Sequence, residues 1–256
     1  MSMPSNAEMS PAGEHDLPAA ASNWAMFLDF DGTLTEIAPA PHLVDIASDL
    51  PQILTDLSRR FGGAVALVSG RPLDQLDELT GVSLAGAGVH GLELRRMPGM
   101  ASVRLDHAVD LEALLGPLQR LADRHPGCFV ERKTGALAVH YRAAPQAREP
   151  LKESISALIT NLPDVSVIDG KMVFELKPAI ANKGAAITAL MEEAPFAGRV
   201  PVFAGDDTTD EYGFEAVNAR QGISIKVGEG DTRALHRVGS VPAFLDWLRL
   251  IAGPTS

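Results

Sequence analysis

Two carboxylates set two residues apart, Asp29 and Asp31, lie in the string Asp29-Phe30-Asp31-Gly32-Thr33-Leu34-Thr35, directly after a run of apolar residues. In extended backbone such a pair shares one face. Gly32 permits a tight bend that aims main-chain N–H groups at an anion. Two carboxylates at a strand end can hold a hard divalent cation, and one of them can attack phosphorus. A bare Asp-Gly turn would be ordinary strand punctuation; the whole seven-residue string is not. A second acidic string, Gly205-Asp206-Asp207-Thr208-Thr209-Asp210-Glu211, also follows an apolar run. An acidic helix start gains only about 0.3–1 kcal/mol per charge from the helix dipole. That accounts for one or two acids, and four in six residues would repel one another without a cation. Ser69, in Val68-Ser69-Gly70-Arg71-Pro72, could donate to a phosphoryl oxygen at a helix start. Read singly it is a helix cap, and Lys183 in Asn182-Lys183-Gly184 reads singly as a solvated lysine.

These residues need elements to bring them together. Trp24 to Leu28, Ala64 to Val68, Val200 to Ala204 and Ile223 to Val227 are short, near-continuous apolar runs. Such runs predict strands covered on both faces, hence a parallel sheet with crossover helices. Ile46, Leu50, Ile53, Leu54, Leu57 and Phe61 follow the helical period, with Asp49 as the expected cap and Pro51 in the first turn. A further helix is predicted from Pro72, with Leu73, Leu76 and Leu79 on one face.

The middle of the chain reads differently. A helix carrying Leu111, Leu114, Leu115, Leu118 and Leu121 precedes Cys128 to Lys133 and Ala136 to Tyr141, joined at Thr134–Gly135. A second helix, about 146–162, precedes Val165 to Ile168 and Val173 to Leu176, with Asp169–Gly170 as the predicted turn. Helix, hairpin, helix, hairpin is α+β logic. The expected organisation is a leader without fixed structure over 1–22, a Rossmann-like α/β core over 23–96 and 178–256, and an inserted α+β cap over 97–177.

The chain has 256 residues, 33 acidic and 22 basic, for a net charge of −11. That balance argues against nucleic acid and anionic membranes as partners. No apolar run approaches the ~20 residues of a membrane span. The single cysteine, Cys128, fits a reducing compartment, and a monomeric cytoplasmic protein is the expectation. The charge is unevenly spread. Residues 97–177 hold ten acids and ten bases, so 1–96 and 178–256 carry the whole −11.

Taken in order, the acid pair, Ser69, Lys183 and the acidic cluster resemble the phosphoryl-transfer enzymes of the haloacid dehalogenase superfamily. The insertion point between the serine and lysine strings resembles its members with a large α+β cap. Gly88-Val89-His90-Gly91-Leu92-Glu93, Glu131-Arg132-Lys133, Ala138-Val139-His140-Tyr141-Arg142 and Phe174-Glu175-Leu176-Lys177-Pro178 look like trehalose-6-phosphate phosphatases. The Gly205–Glu211 string looks the same. The match spans nearly everything after residue 22.

That resemblance implies magnesium-dependent hydrolysis of trehalose-6-phosphate, in trehalose biosynthesis, through an aspartyl-phosphate. Asp29 is implied as nucleophile and Asp31 as the acid and then base. Asp29, the main-chain carbonyl of Asp31, and Asp206 are implied as Mg²⁺ ligands. Asp207 is counted with them, and its ranking against Asp210 stays open. Ser69 and Lys183 are implied to hold the transferring phosphoryl oxygens, with Arg71 as a further phosphate or cap contact. In the cap, Glu131 and Lys133 share a strand face, and Glu175 points away from Met172, Phe174 and Leu176. These three are implied to bind sugar hydroxyls, although spacing alone reads them as solvated surface. His90 and His140 read as structural. Phosphatases of other sugar phosphates, such as sucrose phosphate or mannosyl phosphoglycerate, are alternatives that share the core strings. A phosphomutase is another, and a non-catalytic sugar-phosphate-binding module would have lost Asp29, Asp31 or Lys183.

Overall fold

The computed structural model describes residues 17–38, 43–105 and 109–253. The parallel strands β1 (Trp24–Leu28), β2 (Val65–Val68), β3 (Ala85–Gly88), β10 (Val200–Gly205), β11 (Ile223–Val227) and β12 (His236–Val238) form most of one sheet. Antiparallel β4 (Glu93–Arg95) and β5 (Val103–Arg104) complete it, in the order β12-β11-β10-β1-β2-β3-β4-β5. The chain builds outward from β1 in one direction through β2 and β3, and in the other from β10 through β11. Such a reversal opens a crevice at the carboxyl ends of the central strands.

Every residue of β1 is buried, as a strand covered on both faces must be. Alternation divides its side chains. Trp24 stacks on Phe61, at the end of helix α1 (Leu50–Arg60), and meets Trp247, midway along helix α7 (Val241–Ala252). Phe27 faces the other way, onto Phe196, and its neighbour Phe203 meets Phe214. That second face carries α5 (Lys183–Met191) and α6 (Glu211–Asn218), while α2 (Leu73–Thr80) packs on β3.

The inserted unit is a second, antiparallel sheet. Its strands are β6 (Phe129–Lys133), β7 (Ala136–His140), β8 (Val165–Gly170) and β9 (Val173–Pro178), in the order β6-β7-β9-β8. Helices α3 (Glu112–Ala122) and α4 (Arg148–Ile159) cover one face. Leu114, Leu118, Leu151 and Ile155 bury Leu137, Val139, Phe174 and Leu176. The opposite face carries Glu131, Lys133 and Glu175. Small Ala138 lies between Glu131 and Glu175 in the register.

Four expectations need correction. Val103–Arg104 pairs with β4 in the core sheet, so a cap beginning at residue 97 starts too early. Leu17 and Ala20 pack against the core, so the leader of 1–22 is too long, and residues 1–16 of it lie outside the described residues. Asp169 and Gly170 belong to the β8–β9 ladder, and the turn is Lys171–Met172, where Met172 takes a φ of +64°. Asp49 does not cap α1 with its side chain, because both its oxygens accept from Arg249 on α7.

Candidate active site

Strands β10, β1 and β2 lie side by side, with Leu28 opposite both Ala204 and Leu67. The residues that leave their carboxyl ends, Asp206, Asp29 and Ser69, are therefore neighbours. After Asp29 the chain folds back on itself. Leu34 and Thr35 donate to the Phe30 carbonyl, and the Gly32 N–H donates to Thr35 O at 2.7 Å. Gly32 adopts a φ of +84°, and a Cβ there would overlap the Asp206 carboxylate. Glycine thus does two things here: it permits the left-handed turn, and it lets the Asp29 loop close onto Asp206.

Beneath this loop lies a buried charge cluster. Asp29 Oδ2 accepts from Thr33 Oγ1 at 3.0 Å, and Asp29 Oδ1 from Lys183 Nζ at 2.6 Å. The same ammonium donates to Asp210 Oδ1, also at 2.6 Å. Asp210 is fully buried, and its other oxygen accepts the N–H groups of Asp206 and Asp207. Burial works against a charged Lys183, but Asp210 and Asp29 outweigh it and hold the ammonium well above its ordinary value. Burial pushes Asp29 well up, with Lys183 opposing and Asp210 and Asp206 reinforcing. Burial, then the Asp210 charge, raises Asp206 to about 6.

The four acids after β10 therefore have separate jobs. Asp207 caps the following turn, accepting from the Thr208 N–H at 2.6 Å. Asp210 organises the loop and pairs Lys183. Glu211 accepts from Thr232 and from the Arg233 N–H. Among the described residues the Asp206 carboxylate accepts no hydrogen bond. Repulsion within the string is thus relieved largely by protein donors, which weakens the expectation that all four acids need a cation. Among the described residues, the group able to hold one is Asp29, Asp206 and Asp210, each offering an oxygen within 4.8 Å of the others. Asp207 lies outside that group. The donor set is all carboxylate oxygen with a net negative balance, and it fits a hard divalent cation. Lys226 is buried behind it and donates to the Asp206 main-chain carbonyl.

Asp31 points the other way, into a cleft. Its carboxylate takes a fork from Arg71, Nε to Oδ2 at 2.7 Å and Nη2 to Oδ1 at 2.6 Å. Ser69 is buried and its Oγ accepts from the Arg71 N–H at 3.2 Å. The cleft, about 650 Å³, has Asp31, Gly70 and Arg71 on the core side and Glu131, Lys133 and Glu175 on the cap side. Lys133 Nζ lies 2.8 Å from Glu175 Oε2, and His140 lies 2.7 Å from Glu131 Oε2. Glu175 is mostly buried, which alone would raise its carboxyl. The His90 bond and Lys133 reverse that and bring it to about 2.

All the expected residues except Asp207 thus gather in two connected regions, a charged floor and a polar wall. Two placements differ from expectation. Lys183 sits on Asp29 and Asp210, and Arg71 sits on Asp31. Three further residues belong to the site. Thr33 lies inside the first acidic string, where a hydroxyl four residues after Asp29 is the local signal of a partner for a buried carboxylate. Lys226 sits inside a strand and carries no local mark. His90, expected to be structural, lines the cleft, and its Nε2 lies 3.2 Å from Glu175 Oε1.

Residues 27–238 match the Trehalose-phosphatase family. The chain is 40% identical to the trehalose-6-phosphate phosphatase of Escherichia coli strain K12 over 238 residues, covering 92% of this chain and 89% of that protein. In fold it is similar to the C-terminal domain of a C. albicans trehalose-6-phosphate phosphatase, with a TM-score of 0.78 at 24% identity, covering 91% and 93% of the two chains. A haloacid dehalogenase-like hydrolase from B. subtilis superposes with a TM-score of 0.65 at 13% identity, over 88% of this chain and 98% of that one.

Proposed function

The chain belongs to the Trehalose-phosphatase family and is a phosphoric monoester hydrolase, and from that membership we propose a magnesium-dependent trehalose-6-phosphate phosphatase working through an aspartyl-phosphate. One observation supports the reading above others. The Asp31–Arg71 pair and the Glu131, Lys133 and Glu175 side chains line opposite sides of one cleft, so a phosphorylated end and a sugar end can be read together.

In this reading Asp29 attacks phosphorus, forming an O–P bond as the bond from phosphorus to the sugar oxygen breaks. Asp31 gives its proton to that oxygen. Asp31, now a carboxylate, takes a proton from water; the water oxygen bonds to phosphorus, the Asp29 O–P bond breaks, and inorganic phosphate leaves. Such a switch from acid to base is the ordinary economy of two-step hydrolysis. Thr33 and Lys183 hold the two oxygens of Asp29 and so fix its line of attack. Ser69 and Lys183 face the transferring oxygens, and a lost donor of this kind costs about 10²–10³ in rate. Asp29, Asp206 and the Asp31 carbonyl would hold Mg²⁺, whose contribution is to neutralise charge on the phosphoryl group. Glu131, Lys133 and Glu175 bind hydroxyls of the distal sugar.

Among the described residues no helix is long and apolar enough to cross a membrane. A monomeric, cytoplasmic enzyme remains part of the proposal, open to sedimentation and cell fractionation. The direct test is phosphate release from a panel of phosphorylated mono- and disaccharides, with and without Mg²⁺. Trehalose-6-phosphate should lead the panel and need the cation. Turnover no better than the panel average would overturn the substrate, and unchanged activity after chelation would overturn the metal.

A further inference from the structure

The loop after β3 carries a feature that the proposed chemistry does not use. Val89 and His90 both take left-handed backbone angles, φ +50° and +55°, a region costly for non-glycine residues and most of all for a β-branched one. Strain of this sort persists only where surrounding contacts hold it. Here the contacts are specific. The Val89 N–H donates to the Arg71 carbonyl and the His90 N–H to the Ser69 carbonyl, both at 3.0 Å. The His90 loop is thereby clipped by its backbone to the loop of Ser69 and Arg71. Gly70 lies against the ring, since a Cβ there would come within 2.7 Å of His90 Cε1.

From that platform the imidazole reaches the cap. Nε2 lies 3.2 Å from Glu175 Oε1, while the other oxygen of Glu175 accepts from Lys133. Burial keeps His90 below its ordinary value, so the neutral ring donates through Nε2. Among the described residues its Nδ1 is buried without a hydrogen-bond partner. The ring's polar contact is therefore made toward Glu175.

We propose that His90 is a positioning residue that orients the Glu175 carboxylate for the distal sugar and ties the cap wall to the Ser69–Arg71 loop. This rests on the assignment of Glu175 to sugar binding made above. A phosphorylated disaccharide would engage the coupled wall, whereas a small aryl phosphate would not.

The test uses the full chain with trehalose-6-phosphate and p-nitrophenyl phosphate as substrates. His90→Asn keeps a residue that tolerates left-handed angles but is too short to reach Glu175. It should lower kcat/KM on trehalose-6-phosphate by about tenfold or more, the scale of a hydrogen bond to a charged group, chiefly by raising KM. Turnover of p-nitrophenyl phosphate should not change. His90→Gln, whose amide nitrogen can replace Nε2, should recover most of the loss. In a Glu175→Gln background the His90→Asn effect should largely vanish. Equal losses on both substrates, additive effects in the double variant, or no rescue by glutamine would each overturn the proposal. If the unsubstituted enzyme shows no preference for trehalose-6-phosphate, the substrate assignment itself fails and takes the proposal with it. A preference retained alongside equal losses sinks the role of His90 alone.

Discussion

Arg71 grips Asp31 with a two-pronged fork, its Nε 2.7 Å from one carboxylate oxygen and its Nη2 2.6 Å from the other. The fork takes up both oxygens of the carboxylate as acceptors, so in the proposed reaction it has to loosen before Asp31 can reach a leaving group. A phosphate ester brings oxygens that compete for the same planar donors. Arg71→Lys supplies the charge without the fork. It should lower kcat/KM by about 10- to 100-fold, the equivalent of about 1.5–3 kcal/mol for a charged hydrogen bond. Because the fork is on the reacting end of the cleft, trehalose-6-phosphate and p-nitrophenyl phosphate should suffer alike in initial-rate assays. Undiminished rates with lysine would show that the fork does nothing for the reaction.

The two acids flanking the Asp207 cap should respond in opposite ways to amidation. Asp210 is fully buried, accepts two backbone N–H groups and pairs Lys183. Asp210→Asn turns an amide donor toward one set of these donors, and should cost about 3 kcal/mol in urea melts with or without metal, as breaking a buried pair does. Asp206 accepts no hydrogen bond among the described residues and is crowded by Asp210. In the absence of divalent cation, Asp206→Asn should leave stability within about 0.5 kcal/mol of the unsubstituted protein, or raise it. Mg²⁺ bound as proposed should raise the melting temperature of the unsubstituted protein, and the same change should abolish that rise. Equal destabilisation by both substitutions would contradict this division of labour.

A pH prediction follows from Asp206. Its carboxyl rises from an ordinary 3.8 to about 6 in the folded protein, first through burial and then through Asp210. The folded state therefore binds this proton more tightly than the unfolded state, and stability falls as pH rises between those values. The gap would be worth about 3 kcal/mol at full burial, and partial exposure reduces it to about 1–2 kcal/mol. In metal-free protein, urea melts from pH 4 to 7 should show this loss, and Asp206→Asn should remove its share. Mg²⁺ held by Asp206 as proposed would compete with the proton, so its affinity measured by calorimetry should tighten through about pH 6. A cation affinity that is flat with pH would sink the assignment of Asp206 as a ligand.

The parts of the fold set by local pattern could be read from the residues. β1 runs over Trp24–Leu28, where the apolar run lies, and its parallel pairing follows from an absence of polar alternation. The floor of the site was legible for the same reason, since Asp29, Ser69 and Asp206 follow strand ends and a parallel sheet gathers its strand ends. What escaped depended on partners distant in sequence. Asp49 looks like a helix cap until Arg249 claims it from 200 residues away. Asp169–Gly170 is good turn chemistry, yet Phe174 and Val173 extend the ladder past it. Asp207 and Asp210 cannot be ranked by spacing, because the choice depends on which of them Lys183 reaches across the core. His90 lies in the marked Gly88–Glu93 string, but its contact lies on the inserted unit, so nothing local shows that it reaches Glu175.

Substitutions in the polar wall should separate recognition from reaction. Glu131 and Glu175 flank Ala138 on the cleft face of the second sheet, away from the Asp29 cluster. Each presents a carboxylate that can accept from sugar hydroxyls, and each is braced by the wall, Glu131 by His140 and Glu175 by Lys133. If they bind the sugar as proposed, alanine at either position would remove charged hydrogen bonds to it without touching Asp29, Asp31 or Lys183. Turnover of trehalose-6-phosphate should fall by about 10- to 100-fold in kcat/KM, following about 1.5–3 kcal/mol per charged hydrogen bond. Hydrolysis of p-nitrophenyl phosphate, which has no second sugar, should hold steady. Phosphate release measured on both substrates with each variant decides the matter, because a wall that only stabilises the fold would weaken both activities together.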